Sequence, residues 1–288
     1  MEPIWIPRSK PFPLFPVEAG YDMRKIKIYV GRAKHFYDLI PASVYESKVY
    51  AIVPWGGAAH EETKYEVLAG LDYGWEACQD GKVPQNAVKA GKTNNGEWLY
   101  VGRAEYEGTR MVGKIQPSEK SIYIPYKQLE IKLKNYEALY YKDSDTWKTM
   151  SMNMKTNIFP DAVEVGEDRD YSKMYVARGM YQDIWYPVKC IPDREEAFLC
   201  YDGPEKKYDT VQFLVGDKYY WKKPTAEDDF FDAVFTDHTK EGEPLFVGRG
   251  YHEDVICTGL VSLVQNILIA PYGTEVKYIK NFEILMRK

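Results

Sequence analysis

A chain of 288 residues with 45% apolar and 15% aromatic content carries enough hydrophobic surface for one large core or two smaller ones, which excludes a disordered chain. A formal charge of −5 without a basic stripe excludes a phosphate-backbone partner, so no nucleic acid is expected. No window approaches the roughly 18 apolar residues of a spanning helix, so no membrane insertion is expected either.

In chain order, the opening stretch MEPIWIPRSKPF lacks the charged-then-apolar pattern of a signal peptide. This predicts a cytoplasmic protein, with vesicle association or a leaderless route as the only departures. A first segment then opens on Trp5, carries an acid in "EAGYD" at Asp22, and alternates polar and apolar residues through "IKIYVGRA" to Arg32. Asp38, Ser43, the run "YAIVP" before Trp55, and the phrase "YEVL" from Tyr65 follow. A second segment repeats the order with Trp75, Thr93, "YVGRA" at Arg103, Lys114, "SIYIPY" to Tyr126 and "YEAL" from Tyr136. A third gives Trp147, Asp168, "YVARG" at Arg178, Asp183, Lys189, Cys200–Tyr201 and "YDTV" from Tyr208. The fourth gives Trp221, Thr239, "FVGRG" at Arg249, Asp254, Leu260, "ILIAPY" to Tyr272 and "FEIL" from Phe282.

The four arginines are 71, 75 and 71 residues apart, so one unit of this length has been copied four times. Short runs rich in β-branched and aromatic residues, bounded by Pro, Gly and charged turns, predict an all-β chain of four tandem antiparallel meander repeats, with four to six strands per copy. One meander cannot cover both its faces, so copies must pack on each other. Ten residues before each arginine stand Asp22, Thr93, Asp168 and Thr239, an acid–hydroxyl alternation that pairs copy one with two and copy three with four. The expected domains are therefore residues 1–143 (copies 1–71 and 72–143) and 144–288 (copies 144–218 and 219–288), each sandwich-like or barrel-like.

Positions shared by all copies should build the fold, and divergent ones are available for a local purpose. The arginine is expected to pair with a carboxylate such as the Glu of "YEVL" and to stack on a ring. The tryptophan and the post-proline aromatic read as architecture too. Only copy three combines an early acid, a late acid and a lysine: Asp168, Asp183 and Lys189. Converging at one sheet end beside Tyr181 and Tyr186, they would suit vicinal sugar hydroxyls. Catalysis is not expected, since no G-x-S-x-G, H-E-x-x-H, P-loop or strand-borne G-x-G-x-x-G occurs. The four histidines share no register and form no metal-ligand set, and each reads as a surface or satisfied residue. Four cysteines without a CxxC read as reduced structural thiols.

The pattern from Trp75 to Leu139, with "GKVPQNAVKAG", "YVGRAEYEG", "GKIQPS", "YIPY" and "YEAL", resembles the DM-nine (DM9) repeat family of invertebrate mannose-binding lectins and natterin-like proteins. In layout it is most similar to a four-repeat, parasite-responsive insect salivary branch. The resemblance implies calcium-independent recognition of mannose-type glycans, a role in innate response to microbes or parasites, no cofactor, and possible homo-oligomers. It implies a sugar held by the acid of the "AGYD"-like turn, an acid before the next turn and the lysine of that turn. Here these fall on Asp22 and Asp168, on Asp38 and, one place out, Asp183, and on Lys114 and Lys189. Ser43 replaces the lysine in copy one and Thr93 the acid in copy two, so four equal sites are not expected. The alternative is a self-associating, non-catalytic scaffold at vesicles with vestigial sugar sites.

Overall fold

The computed structural model describes residues 3–8, 12–142, 144–153, 158–199, 206–225, 230–240, 242–273 and 275–288. The chain divides into two compact units, Met1–Asp143 and Ser144–Lys288, each holding two copies. Each copy contributes seven described strands. Copy one has β1 (Ile4–Pro7), β2 (Glu18–Tyr21), β3 (Lys27–His35), β4 (Asp38–Val44), β5 (Ala51–Trp55), β6 (Ala58–Glu62) and β7 (Tyr65–Ala69). Copy two has β8 (Tyr73–Gln79), β9 (Lys89–Lys92), β10 (Trp98–Tyr106), β11 (Thr109–Gln116), β12 (Ser121–Tyr126), β13 (Leu129–Leu133) and β14 (Asn135–Tyr141). Copy three has β15 (Thr146–Ser151), β16 (Glu164–Glu167), β17 (Lys173–Tyr181), β18 (Ile184–Ile191), β19 (Glu196–Leu199), β20 (Lys206–Lys207) and β21 (Thr210–Val215). Copy four has β22 (Tyr219–Lys222), β23 (Phe235–His238), β24 (Pro244–His252), β25 (Val255–Ser262), β26 (Ile267–Tyr272), β27 (Glu275–Ile279) and β28 (Phe282–Arg287).

The fold is all-β and antiparallel, and every copy uses one strand order: first, seventh, third, fourth, fifth, sixth, with the second strand on the flank of the third. In copies one and two these join into one fourteen-stranded sheet, and in copies three and four they form two seven-stranded sheets. This is more than the four to six strands of a plain meander, because the closing strand returns to lie beside the third. That return sets Glu66 opposite Arg32, Glu137 opposite Arg103 and Glu283 opposite Arg249, each within its closing phrase, and Gln212 opposite Arg178, so the closing run of copy three is "VQFL" from Val211 and not "YDTV" from Tyr208, three residues out of register.

The arginine is the staple of the fold. Arg32 Nε lies 2.5 Å from Glu66, Arg103 Nε 2.7 Å from Glu137 and Arg249 Nε 2.7 Å from Glu283. Each guanidinium stands 4.3–4.5 Å from the ring centroid of its own copy's opening tryptophan, Trp5, Trp75, Trp147 or Trp221. Its remaining donor crosses to the partner copy: Arg32 to Ala90 O, Arg103 to Ala19 O, Arg178 to Thr236 O and Arg249 to Val165 O. The phrase "YVGRA" therefore ties copy one to two and three to four, through a planar fork that lysine could not reproduce. Close backbone approach completes the interlock. A Cβ on Gly20 would sit 2.2 Å from Arg110 O and one on Gly91 2.3 Å from Leu39 O, so each crossing demands glycine.

Hydrophobic cores also span copies. Val30, Leu68, Val101, Val112, Ile122 and Leu139 share one cluster in the first unit, and Val188, Phe213, Leu245 and Leu260 share one in the second.

Copy three breaks the staple's charge balance. Gln212 accepts from Arg178 Nε at 2.9 Å, and burial, with no carboxylate opposite, pulls this arginine down to about 10. Restoring the acid by Gln212→Glu is expected to stabilise the second unit by about 1 kcal/mol, a rise of a few degrees in its melting temperature. A calorimetric scan with an unchanged or lower transition would refute this.

Candidate functional site

The turn "EDRDYS" joins β16 to β17 and is closed by Asp168 N donating to Ser172 O at 3.0 Å and Tyr171 N donating to Asp168 O at 3.0 Å. Tyr171 takes φ 66° to make the reversal and is largely exposed at its tip. Asp168 Oδ1 accepts from the backbone N–H of Arg169 at 2.9 Å, which leaves Oδ2 facing β18. There Lys189 Nζ lies 3.3 Å away and Arg194 Nη1, at the end of the 3-10 turn Pro192–Arg194, lies 2.8 Å away. Arg194 also forks onto Asp170, with Nε 3.0 Å from Oδ2 and Nη2 on Oδ1, and has Glu196 3.6 Å from Nη1. Burial pushes Asp168 up, but the Arg169 N–H, Lys189 and Arg194 outweigh it and hold this carboxyl below the usual carboxylate range. Arg194 likewise holds Asp170 far below that range.

The opposite wall comes from copy four. Tyr272 donates to Glu253 at 2.8 Å, Arg169 reaches Glu253 at 3.2 Å and also bonds the Tyr272 hydroxyl, and its guanidinium stands 5.3 Å from the Tyr272 ring centroid. Asp168, Arg169, Lys189, Arg194, Glu196 and Tyr272 line most of a cavity of about 480 Å³, with Phe198, Pro271 and Gly273 as its apolar part. It thus presents acceptors, clustered donors and an aromatic face within one open cleft, a set suited to a polyhydroxylated ligand.

Of the six residues expected to hold a sugar, the structure joins two. Asp168 and Lys189 meet. Asp183 does not join them: it sits exposed at φ 64° at the tip of the β17–β18 hairpin, six residues from Lys189 or about 20 Å along an extended strand. That hairpin faces copy four, where Trp185 N donates to Asp237 Oδ2 at 3.1 Å. The expected convergence of Asp183 with Asp168 and Lys189 is therefore corrected, since Asp183 lies in the turn before β18 and Lys189 near the far end of that strand.

In the first unit the candidates are tied elsewhere. Asp22 Oδ1 caps its own turn, accepting from Arg24 N at 2.8 Å and Ile26 N at 3.0 Å, and the lysine position opposite holds Ser43, fully buried and bonded to the Val112 backbone. Asp38 crosses to copy two, accepting from Asn94 N at 2.6 Å and from Trp55 Nε1 at 3.0 Å. Lys114 is 7% exposed and sits 3.0 Å from Glu130, whose other oxygen accepts from Gly57 N at 2.7 Å.

The alternation that paired the copies has a local cause. In copies two and four the threonine hydroxyl accepts the N–H four residues on, that of Glu97 or Glu243. Those glutamates then clamp the later turn, Glu97 on Ser118 and Glu243 on Leu263 N and Ser262 Oγ. The acid has moved four places and become structural.

Sequence reasoning missed Arg194, Arg169, Asp170 and Glu253, and read Tyr272 as architecture only. The signal was present: sixteen residues after the repeated arginines stand Lys48, Glu119, Arg194 and Gln265, a divergent position of the kind left free for local use. Its counterpart aromatic Tyr201, with Cys200, lies outside the described residues.

A search of curated protein sequences returns no match. Among solved structures, the crystal structure of the nematode sperm cell motility protein MFP2B is similar over 100% of this chain and 97% of that one, at 14% identity and a TM-score of 0.44. The model of the DM9 repeat matches residues 22–133 and 168–279, once in each unit and over most of the sequence. With four copies in register, stapled in pairs by the same arginine, this chain belongs to the DM9 repeat family.

Proposed function

We propose that this protein is a non-catalytic, calcium-independent carbohydrate-binding protein that takes mannose-type glycans in the copy-three cavity, in a pattern-recognition role towards microbes or parasites. The observation that carries this reading is the 3.3 Å approach of Lys189 to Asp168 inside a cavity walled by Tyr272. Asp168 keeps acceptor capacity for a sugar hydroxyl, Lys189 keeps two N–H donors for a neighbouring one, and the tyrosine face covers the C–H side of the ring. Each hydrogen bond adds only about 0.5–1.5 kcal/mol net, so useful avidity comes from several glycan branches engaged by several molecules.

Retention on immobilised mannan with a chelator present tests this. Asp168→Asn is expected to abolish retention, whereas Asp183→Ala is expected to leave it intact. Equal behaviour of the two variants removes the site. The second reading, a self-associating scaffold, is supported by the first unit, where Asp22, Asp38 and Lys114 are all spent on bonds within the chain. It predicts concentration-dependent growth in light scattering that mannan does not alter, and no retention of the wild type.

A further inference from the structure

Copy two departs from copies one and three on the surface formed by β9 and β10. Copies one and three place an exposed ion pair there, Glu18 with Lys27 at 2.9 Å and Glu164 with Lys173 at 2.7 Å. At the same two register positions copy two has Lys89 and Trp98. A third change accompanies them: Lys92 occupies the position held by Tyr21 in copy one and Glu167 in copy three, directly opposite Trp98 in the ladder. The Lys92 ammonium stands 4.1 Å and the Lys89 ammonium 4.9 Å from the Trp98 ring centroid. Both lysines are exposed, Trp98 is 40% exposed, and among the described residues no carboxylate pairs with either ammonium.

We propose that Lys89, Lys92 and Trp98 form a binding site for sulfate or phosphate ester groups carried on a polysaccharide. Two cations that stand on one ring, and so within about 9 Å of each other, can each give charge-assisted hydrogen bonds to ester oxyanions of one sugar segment. Holding the two ammonium groups over the indole lowers the rotamer entropy, up to roughly 2 kcal/mol per side chain, that binding would otherwise remove. The exposed part of the indole offers an apolar contact to a sugar C–H face. Two ammonium groups on a molecule of net charge −5 cannot neutralise a nucleic acid or a charged bilayer. They do match esters spaced along a sugar chain, where repeated weak contacts supply avidity. The exchange of an acid–base pair for two bases and an indole has no role in the staples or cores described above.

Binding of dextran sulfate, dextran phosphate and plain dextran at low salt tests the proposal, and the two charged dextrans separate sulfate from phosphate. The wild type is expected to bind at least one charged dextran and not the plain polymer. The double variant Lys89→Gln Lys92→Gln should bind roughly tenfold more weakly or worse, with the salt slope reduced by about two. Lys27→Gln removes an ion-paired lysine at the Trp98 register of copy one and should change nothing, and Asp168→Asn should also leave this binding intact. The proposal falls if the wild type binds neither charged dextran, if plain dextran binds equally, if the double variant binds like wild type, or if either control weakens binding as much.

Discussion

Replacing Asp145 with alanine is expected to cost the second unit about 3–5 kcal/mol, the range for removing one partner of a buried ion pair. Asp145 lies just before the first strand of copy three and Arg287 ends the last strand of copy four, so the pair joins chain segments 142 residues apart. The side chains are 6% and 13% exposed, and Arg287 forks onto the carboxylate with Nε 3.0 Å from Oδ1 and Nη2 2.5 Å from Oδ2. The Tyr219 hydroxyl donates to the same Oδ1 at 3.0 Å, and Arg287 Nη1 donates to Ala233 O at 3.0 Å. Alanine would take from the buried guanidinium the carboxylate it forks onto, and from the Tyr219 hydroxyl its acceptor. Urea denaturation should show the loss, and the double replacement Asp145→Ala Arg287→Met should recover part of it, because an apolar pair needs no counter-charge. A loss under about 1 kcal/mol for the single variant would show that this latch does not close the unit.

Much of the fold was legible because repetition turns one sequence into four measurements. The Arg–Glu partnership could be read from "YVGRA" and "YEVL" because both phrases recur at fixed separation, and cross-strand pairing requires such constancy. The route of the closing strand could not be read, since spacing says that two residues meet and not which strand passes between them. Asp168 and Lys189 were legible as divergent positions, one on the turn into β17 and one on the strand paired with β17. Asp183 was misplaced because one-dimensional register cannot tell a hairpin tip from the other end of the same strand. Arg194 and Glu253 escaped because both lie on turns, Arg194 reaching Asp168 from a 3-10 turn and Glu253 holding the wall residues Arg169 and Tyr272 from the partner copy. The arginine pairs of unit two show the same limit: Gln212 keeps the shape of the staple while dropping its charge, a change visible in sequence but interpretable only once burial is known.

His238 carries the other large effect, and it departs from the surface or satisfied role that its sequence context indicated. It is 4% exposed, both ring nitrogens lack a hydrogen-bond partner among the described residues, and the ring packs edge-on against Phe235 with centroids 4.9 Å apart. The neighbouring Asp237 carboxylate gives no relief, since its oxygens accept from the backbone N–H groups of His238 and Trp185. Burial therefore lowers the imidazole from 6.5 to about 4. The unfolded chain binds this proton near pH 6.5 and the native chain only near pH 4, so stability rises with pH across that window. The contribution is complete above pH 6.5 and is lost as pH falls towards 4, about 3 kcal/mol in all at 1.36 kcal/mol per unit. The variant His238→Leu, similar in volume and without a proton to gain, should remove this part of the acid sensitivity. Comparing urea midpoints of wild type and variant at neutral pH and near pH 4.5 reads the difference directly: the wild type should lose more stability than the variant, by most of that amount. Parallel losses in the two proteins would mean that the ring is solvated or paired in solution and that the native histidine titrates like an unfolded one.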